Sequence, residues 1–232
     1  MSPSYSERHL DPVQAQAYRE KHDKSLLRRM SSRRERAILR AALALAVERL
    51  PAVLPDDAAP TLLDFPCGAG RFASMFARVA KTYVPGDHSP HMLALTRHEL
   101  TASGLADRVQ EWIQADARSM PLADQSVDLA CCIRLLHHFQ APRDQQRILR
   151  EFRRVCRGPL VLTFLDANAP KQWMHLRRHD LARTKSRRAL LSIDGLRAVA
   201  RATGYELVRT WSLSRWFSGQ SVALLDVTEP TV

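Results

Sequence analysis

Three aspartates and two glycines, Asp64, Asp87, Asp116, Gly68 and Gly70, stand where a ligand could be held. Over Leu62–Phe72 a buried-strand signal ends, a glycine turn follows and a helix begins. Glycine accepts the left-handed backbone of a tight turn, and its bare backbone lets a ligand approach close to a helix N-terminus. Such a turn is also common in α/β proteins for packing reasons alone. Asp87 ends the next strand, where a carboxylate can accept hydrogen bonds from both hydroxyls of a ribose. Asp116, in Gln114-Ala115-Asp116-Ala117 at the end of a third strand, can hold an exocyclic amine. After Val127-Asp128-Leu129 come Leu135-Leu136-His137-His138-Phe139. His137 or His138 is a candidate general base facing an acceptor pocket. In the alternative, one imidazole packs under the sheet edge and the other lies against cofactor or solvent.

The elements that must position these groups are legible as period and punctuation. Val13–Leu50 has a helical pattern, with Leu39, Leu43, Val47 and Leu50 three to four residues apart and Pro51 closing the run. Ser31-Ser32 is expected to break it, with Ser32 capping a second helix. Pro51–Pro60 reads as a linker. Strands are expected at Thr61–Phe65, Thr82–Val84, Val109–Ala115, Ser126–Arg134 and Leu160–Leu165. Pro85 predicts an irregular approach to Asp87. Helices are expected at Arg71–Ala80, from Pro90 to Gly104, and at Arg143–Arg157. Strands alternating with helices imply βαβ units and a parallel sheet. Beyond Pro170 lies a basic helical stretch, then a helix over Ile193–Thr203 capped by Ser192 and stopped by Gly204. Tyr205–Leu213 and Ser221–Val227 close the sheet. Residues 1–60 thus form a helical extension or lid with its linker, and 61–232 the main domain, with a helical insertion at 170–191.

The chain has 232 residues, 45% of them hydrophobic, enough for a real core. No apolar run is long enough to span a membrane, and Met1–Tyr5 lacks the apolar core of a signal peptide, so a cytoplasmic location is expected. Cys67, Cys131, Cys132 and Cys156 match no metal-ligand spacing and suggest no disulfide framework, and Cys131 and Cys132, in a strand-like apolar run, read as buried small hydrophobes. The formal net charge is +11. Arg19–Arg40 holds nine Lys/Arg against three Asp/Glu, and Lys171–Arg188 seven against one. Such patches attract nucleic acid, anionic lipid or phosphorylated substrates, or are simply solvated helix faces.

Taken in order, the motifs resemble those of the class I, Rossmann-like S-adenosylmethionine-dependent methyltransferases, in their small single-domain, methyltransferase-11-like branch. Asp64–Gly70 resembles that family's glycine loop, and Gly86-Asp87-His88-Ser89-Pro90-His91-Met92-Leu93 its second-strand element. Asp116-Ala117 resembles its adenine-binding pair, and Asp128–Phe139 its fourth-strand element. The resemblance covers about residues 61 to 165 and, more loosely, the closing strands. It implies a doubly wound, seven-stranded, mostly parallel sheet with helices on both faces. S-adenosylmethionine is the implied cofactor, yielding S-adenosylhomocysteine, with no metal. Asp64 would orient the methionine end of the cofactor, and Gly68, Ala69 and Gly70 would line its path. Asp87 would bind the ribose with His88 beside the adenine. Asp116 would take the adenine amine, and Ala117 would donate a backbone hydrogen bond. Arg134 would lie near the methionine moiety; Pro66, Cys67 and Met92 belong to the same matched elements. Pro66 departs from the family's usual glycine and removes one backbone donor.

The expected function is methyl transfer to an anionic small molecule, lipid or glycan. The N-terminal segment and the insertion would form a basic lid, with Tyr18, His22, Arg177 and Arg178 as candidate lid and substrate residues. Two competing readings are an RNA methyltransferase using the same patches for phosphates, and a non-catalytic cofactor-binding protein. No RNA-binding module is visible. Where a flipped base would need an Asn-Pro-Pro-Tyr-like element, Arg134-Leu135-Leu136-His137 stands instead.

Overall fold

The computed structural model describes residues 26–50, 59–170, 188–214 and 218–228. The first element among the described residues is helix α1 (Leu26–Glu48). There follow β1 (Thr61–Asp64), α2 (Ala73–Val79), β2 (Thr82–Asp87), α3 (Pro90–Ala102), β3 (Ile113–Gln114) and β4 (Leu129–Cys132). The chain ends with α4 (Pro142–Val155), β5 (Leu160–Leu165), α5 (Ile193–Arg201), β6 (Tyr205–Ser214) and β7 (Ser218–Val227). The seven strands form one sheet in the order β3-β2-β1-β4-β5-β7-β6. The first five strands pair in parallel, while β7 runs antiparallel to both β5 and β6. This is the Rossmann-like, doubly wound α/β architecture that the motif order implies. The strand order reverses at β1 and β4, and ligands in such sheets bind beyond the carboxyl ends of the strands around that point.

Side-chain alternation along the strands builds a core on each face of the sheet. Leu62, Tyr83, Leu129, Cys131, Val161 and Leu224 face a cluster that contains Leu39 and Leu43 of α1 and Phe76 of α2. Leu63, Val84, Ala130, Leu160, Leu162 and Leu225 face the opposite cluster, with Ile148 and Phe152 of α4 and Leu196 of α5. Because both faces are covered, the parallel strands read as continuous apolar runs. The four cysteines are buried free thiols.

Several boundaries differ from the sequence expectations. α1 runs unbroken through Ser31-Ser32, and the Ser32 hydroxyl accepts from Arg71 Nη2 at 3.1 Å instead of capping a second helix. Serine costs little in a helix interior, and the packing of the Leu39–Leu43 stripe outweighs that cost. β2 is regular through Pro85, which is tolerated because β3 pairs only with Gly86 and Asp87. The third strand shrinks to Ile113–Gln114, with Val109 making an isolated bridge to Tyr83, as suits a strand at the sheet edge. The fourth shrinks to Leu129–Cys132. Ser192 does cap α5, accepting from the Gly195 amide at 3.0 Å. Of the described helices, none is long and apolar enough to cross a membrane. Residues 171–187, with most of the expected basic insertion, lie outside the described residues, as do residues 51–58 of the expected linker.

Candidate functional site

The site is built at the carboxyl ends of β1, β2 and β4. Beyond Asp64 the chain turns sharply through a cis Phe65–Pro66 bond and two glycines at φ 58° and 75°, Gly68 and Gly70. Three hydrogen bonds fix the turn. The Cys67 amide donates to Gly86 O at 2.8 Å, the Thr96 hydroxyl donates to Gly68 O at 2.8 Å, and the Gly68 amide donates to Asp87 Oδ2 at 2.9 Å. A Cβ on Gly70 would sit 2.9 Å from Thr96 Cα, whereas one on Gly68 would meet nothing within 4 Å. Gly70 is therefore required by packing as well as by φ. Gly68 is required by φ alone and faces open space.

Asp87 is fixed from both sides, since its Oδ1 accepts from the Ser89 amide at 2.9 Å. Burial raises its carboxyl above the ordinary value, opposed by the Ser89 and Gly68 amides. Asp64 lies deeper, and its Oδ2 accepts from the Tyr83 hydroxyl at 2.6 Å. Burial lifts the Asp64 carboxyl to about 8; the Tyr83 bond opposes this and the Asp87 charge adds to it. At neutral pH Asp64 therefore keeps its proton in this structure. Ser89 caps α3, and Met92 is buried in that helix.

Around the carboxyl end of β3 opens a cavity of about 400 Å³, lined by Phe65, His88, Asp116, Ala117, Leu135 and His138 among others. His88, Asp116, Ala117 and His138 thus line one cavity. Asp116 is not unencumbered: Arg118 grips it with Nε to Oδ1 at 2.9 Å and Nη2 to Oδ2 at 2.6 Å. That pair holds the Asp116 carboxyl below the ordinary carboxylate range. The Arg118 guanidinium also lies 5.6 Å from the Phe139 ring centroid, on the cavity wall.

The two histidines differ in their surroundings. They sit on the 3₁₀ turn Leu136–His138 with ring centroids 4.2 Å apart. His138 lines the cavity, while His137 is buried, its Nδ1 without a hydrogen-bond partner among the described residues. Burial drives the His137 imidazole down to about 3, helped by His138, Arg188 and Arg134, so it is neutral at physiological pH.

Arg134, two residues beyond β4, holds a left-handed backbone at φ 63°, and its amide donates to Thr163 Oγ1 at 2.7 Å. Its guanidinium donates to Glu35 of α1, with Nη2 2.9 and 3.0 Å from the two carboxylate oxygens. Sequence reasoning missed Glu35, counting it only as an acid inside a basic segment. The available signal was its place one turn before Leu39 and two before Leu43, on the helix stripe that turns inward. Among the candidate lid residues, Tyr18, His22, Arg177 and Arg178 lie outside the described residues. The described part of the first basic segment belongs to α1, which packs on β5, β6 and β7 with Arg33, Arg34, Arg36 and Arg40 exposed. No cluster of three potential metal ligands occurs among the described residues.

In sequence and in fold the chain is similar to known methyltransferases. The chain is 29% identical over 149 residues to the O-methyltransferase rstn1 of Aspergillus nomiae, covering 63% of this chain and 64% of that protein. It is 33% identical over 82 residues to the malonyl-[acyl-carrier protein] O-methyltransferase of Pectobacterium atrosepticum, covering 35% of this chain and 30% of that one. The matches therefore span less than two thirds of either curated relative's own length. A similar fold occurs in the magnesium protoporphyrin IX methyltransferase of Synechocystis with bound S-adenosylhomocysteine. There the TM-score is 0.68 and the identity 13%, covering 88% of each chain. Residues 63–159 match the family model described as "Methyltransferase domain". Over those residues the chain is similar to the methyltransferase-domain family, and its fold is the Rossmann-like fold of such enzymes.

Proposed function

We propose that the protein transfers a methyl group from S-adenosylmethionine to an oxygen of an anionic small-molecule, lipid or glycan acceptor. One observation carries the cofactor part. The glycine turn, Asp87 and the Asp116–Ala117 cavity wall converge at the carboxyl ends of neighbouring strands, with Asp87 already fixed by the Gly68 and Ser89 amides. The donor set suits the group. Asp87 supplies a buried carboxylate for vicinal hydroxyls, Gly68 leaves backbone open to a ligand, and the cavity offers apolar walls with polar edges for a base. Bound there, S-adenosylmethionine supplies a methyl group already activated on a sulfonium.

The chain's own residues then need only bind, orient and exclude water. Asp87 would hold the ribose, His88 and Leu135 would flank the adenine, and Asp116, steadied by Arg118, would accept from its amine. Asp64 would lie under the methionine end. His137 stays neutral and buried, so any hydrogen bond it makes carries no charge.

Both curated relatives are named as O-methyltransferases, which supports oxygen as the acceptor atom. A malonyl group carries a carboxylate, which supports an anionic acceptor, as does this chain's net charge of +11. The test is activity-guided screening of cell extract with methyl-labelled cofactor, followed by identification of the labelled product. The expected result is a labelled methyl ester or ether on an anionic molecule. Label appearing only in RNA would replace the acceptor class, and no transfer to any fraction would defeat the reading.

A further inference from the structure

Glu35 is a buried carboxylate that the reading above leaves unused. It stands on α1 at 1% exposure and reaches two arginines from distant parts of the chain. Arg71 Nη2 lies 2.7 Å from Glu35 Oε2, and Arg134 Nη2 lies 2.9 Å from the same oxygen. Arg71 directly follows Gly70, the last residue of the glycine turn. Arg134 leads from β4 toward Leu135 and His138 on the cavity wall. One carboxylate therefore ties α1 to both backbone segments that frame the candidate cofactor site. The tie is reinforced, since Arg71 Nη2 also donates to Ser32 Oγ at 3.1 Å and Arg36 Nη2 to Arg71 O at 3.4 Å.

Two physical features separate this cluster from an ordinary surface ion pair. A carboxylate this buried is stable only when paired and hydrogen-bonded, so the two guanidiniums are held where it needs them. Arg134 is also in a left-handed backbone conformation that a non-glycine residue keeps only when its surroundings over-determine it. Thr163 fixes its amide and Glu35 fixes its side chain.

We infer that Glu35 is a positioning residue for the cofactor site. It sets the separation of the glycine turn and the turn after β4, and so makes α1 a fixed wall of the site. The inference rests on the proposed cofactor reading. It adds that the charge cluster, and not the apolar docking of α1, couples the helix to the site: an intact cluster favours the cofactor, and the cofactor favours the intact cluster, by the same factor.

The test uses the full chain, with S-adenosylhomocysteine as probe. Glu35→Gln is compared with wild type and with Leu43→Ala, which loosens the same helix from the same core without touching the charge cluster. Affinity is read by calorimetry, stability by urea melts, and α1 docking by amide hydrogen exchange over residues 32–48 with and without probe. The expected result is that Glu35→Gln weakens the probe about 10-fold or more and abolishes probe-dependent protection of α1. Leu43→Ala should lose stability yet bind within about threefold of wild type. Should Glu35→Gln fail to fold, Glu35→Asp keeps the charge but withdraws it by one methylene, with about fivefold weaker binding expected. Wild-type affinity in the Glu35 variants overturns the inference. So does a Leu43→Ala variant that weakens binding as much as Glu35→Gln. A wild type that binds no probe would instead defeat the cofactor reading on which the inference stands.

Discussion

The Gly68 amide donates to the Asp87 carboxylate at 2.9 Å, binding the turn after β1 to the end of β2. The two glycines of that turn differ in what surrounds them, and substitution should separate them. Gly68→Ala introduces strain at φ 58° but no clash, and should cost about 1–2 kcal/mol of stability. Gly70→Ala adds the same strain and drives a Cβ to 2.9 Å from the Thr96 backbone, so its loss should be clearly larger. Urea melts of the two variants check the order. Equal losses would mean that α3 yields freely at Thr96.

A second expectation concerns pH. The Asp64 carboxyl is lifted by burial to about 8 in the folded chain, against about 3.9 for an unperturbed aspartate. Between those values the unfolded chain binds fewer protons than the folded one at this residue, so this group's contribution to stability falls as pH rises. It is most favourable below about pH 4 and fully lost above about pH 8. Asp64→Asn keeps an acceptor for the Tyr83 hydroxyl and removes the titration. The wild type should therefore lose stability relative to the variant from pH 5 to pH 8. Parallel pH profiles in thermal melts would show that Asp64 is already ionised.

The grip of Arg118 on Asp116 sets up a third. If Asp116 accepts the adenine amine, Asp116→Ala should reduce preference for S-adenosylhomocysteine over its inosine analogue. Arg118→Met leaves the acceptor but frees its orientation, so it should give a smaller loss of the same preference. Competitive binding of the two analogues measures this. A wild type indifferent to the amine would move the adenine elsewhere.

The basic segment 171–188 carries the fourth. An electropositive rim raises encounter with an anion and fades as salt screens it. Charge reversal at Arg177, Arg178, Arg187 and Arg188 should raise the Michaelis constant for the acceptor at low salt while leaving cofactor affinity nearly constant. Normal kinetics at low salt would make the segment a solvated face.

How much of this was legible in the sequence follows the range of the interactions. Gly68, Gly70, Asp87 and Asp116 announce themselves because turn and strand-end chemistry is local, and their spacing survives without the fold. The Leu39–Leu43 stripe likewise marks the buried face of α1. The shortness of β3 was not legible, because it depends on what β2 offers at the sheet edge. Nor was the passage of α1 through Ser31-Ser32, where tertiary packing overrides a weak local preference. Arg118 on Asp116 was within local reach, yet a carboxylate's partner is not set by spacing alone. The Glu35–Arg71–Arg134 cluster is hardest, because its members meet only once the sheet has brought β1 and β4 together under α1.

The central claim is that this site holds S-adenosylmethionine through Asp87, and calorimetric titration of wild type and Asp87→Ala with S-adenosylhomocysteine tests it most directly. The expected result is one site per chain with micromolar affinity, on the order of −8 kcal/mol. Affinity should be at least about 10-fold weaker in Asp87→Ala, because buried hydroxyls would lose a charged acceptor. A folded wild type that shows no binding, or an Asp87→Ala variant that binds as tightly as wild type, would contradict it.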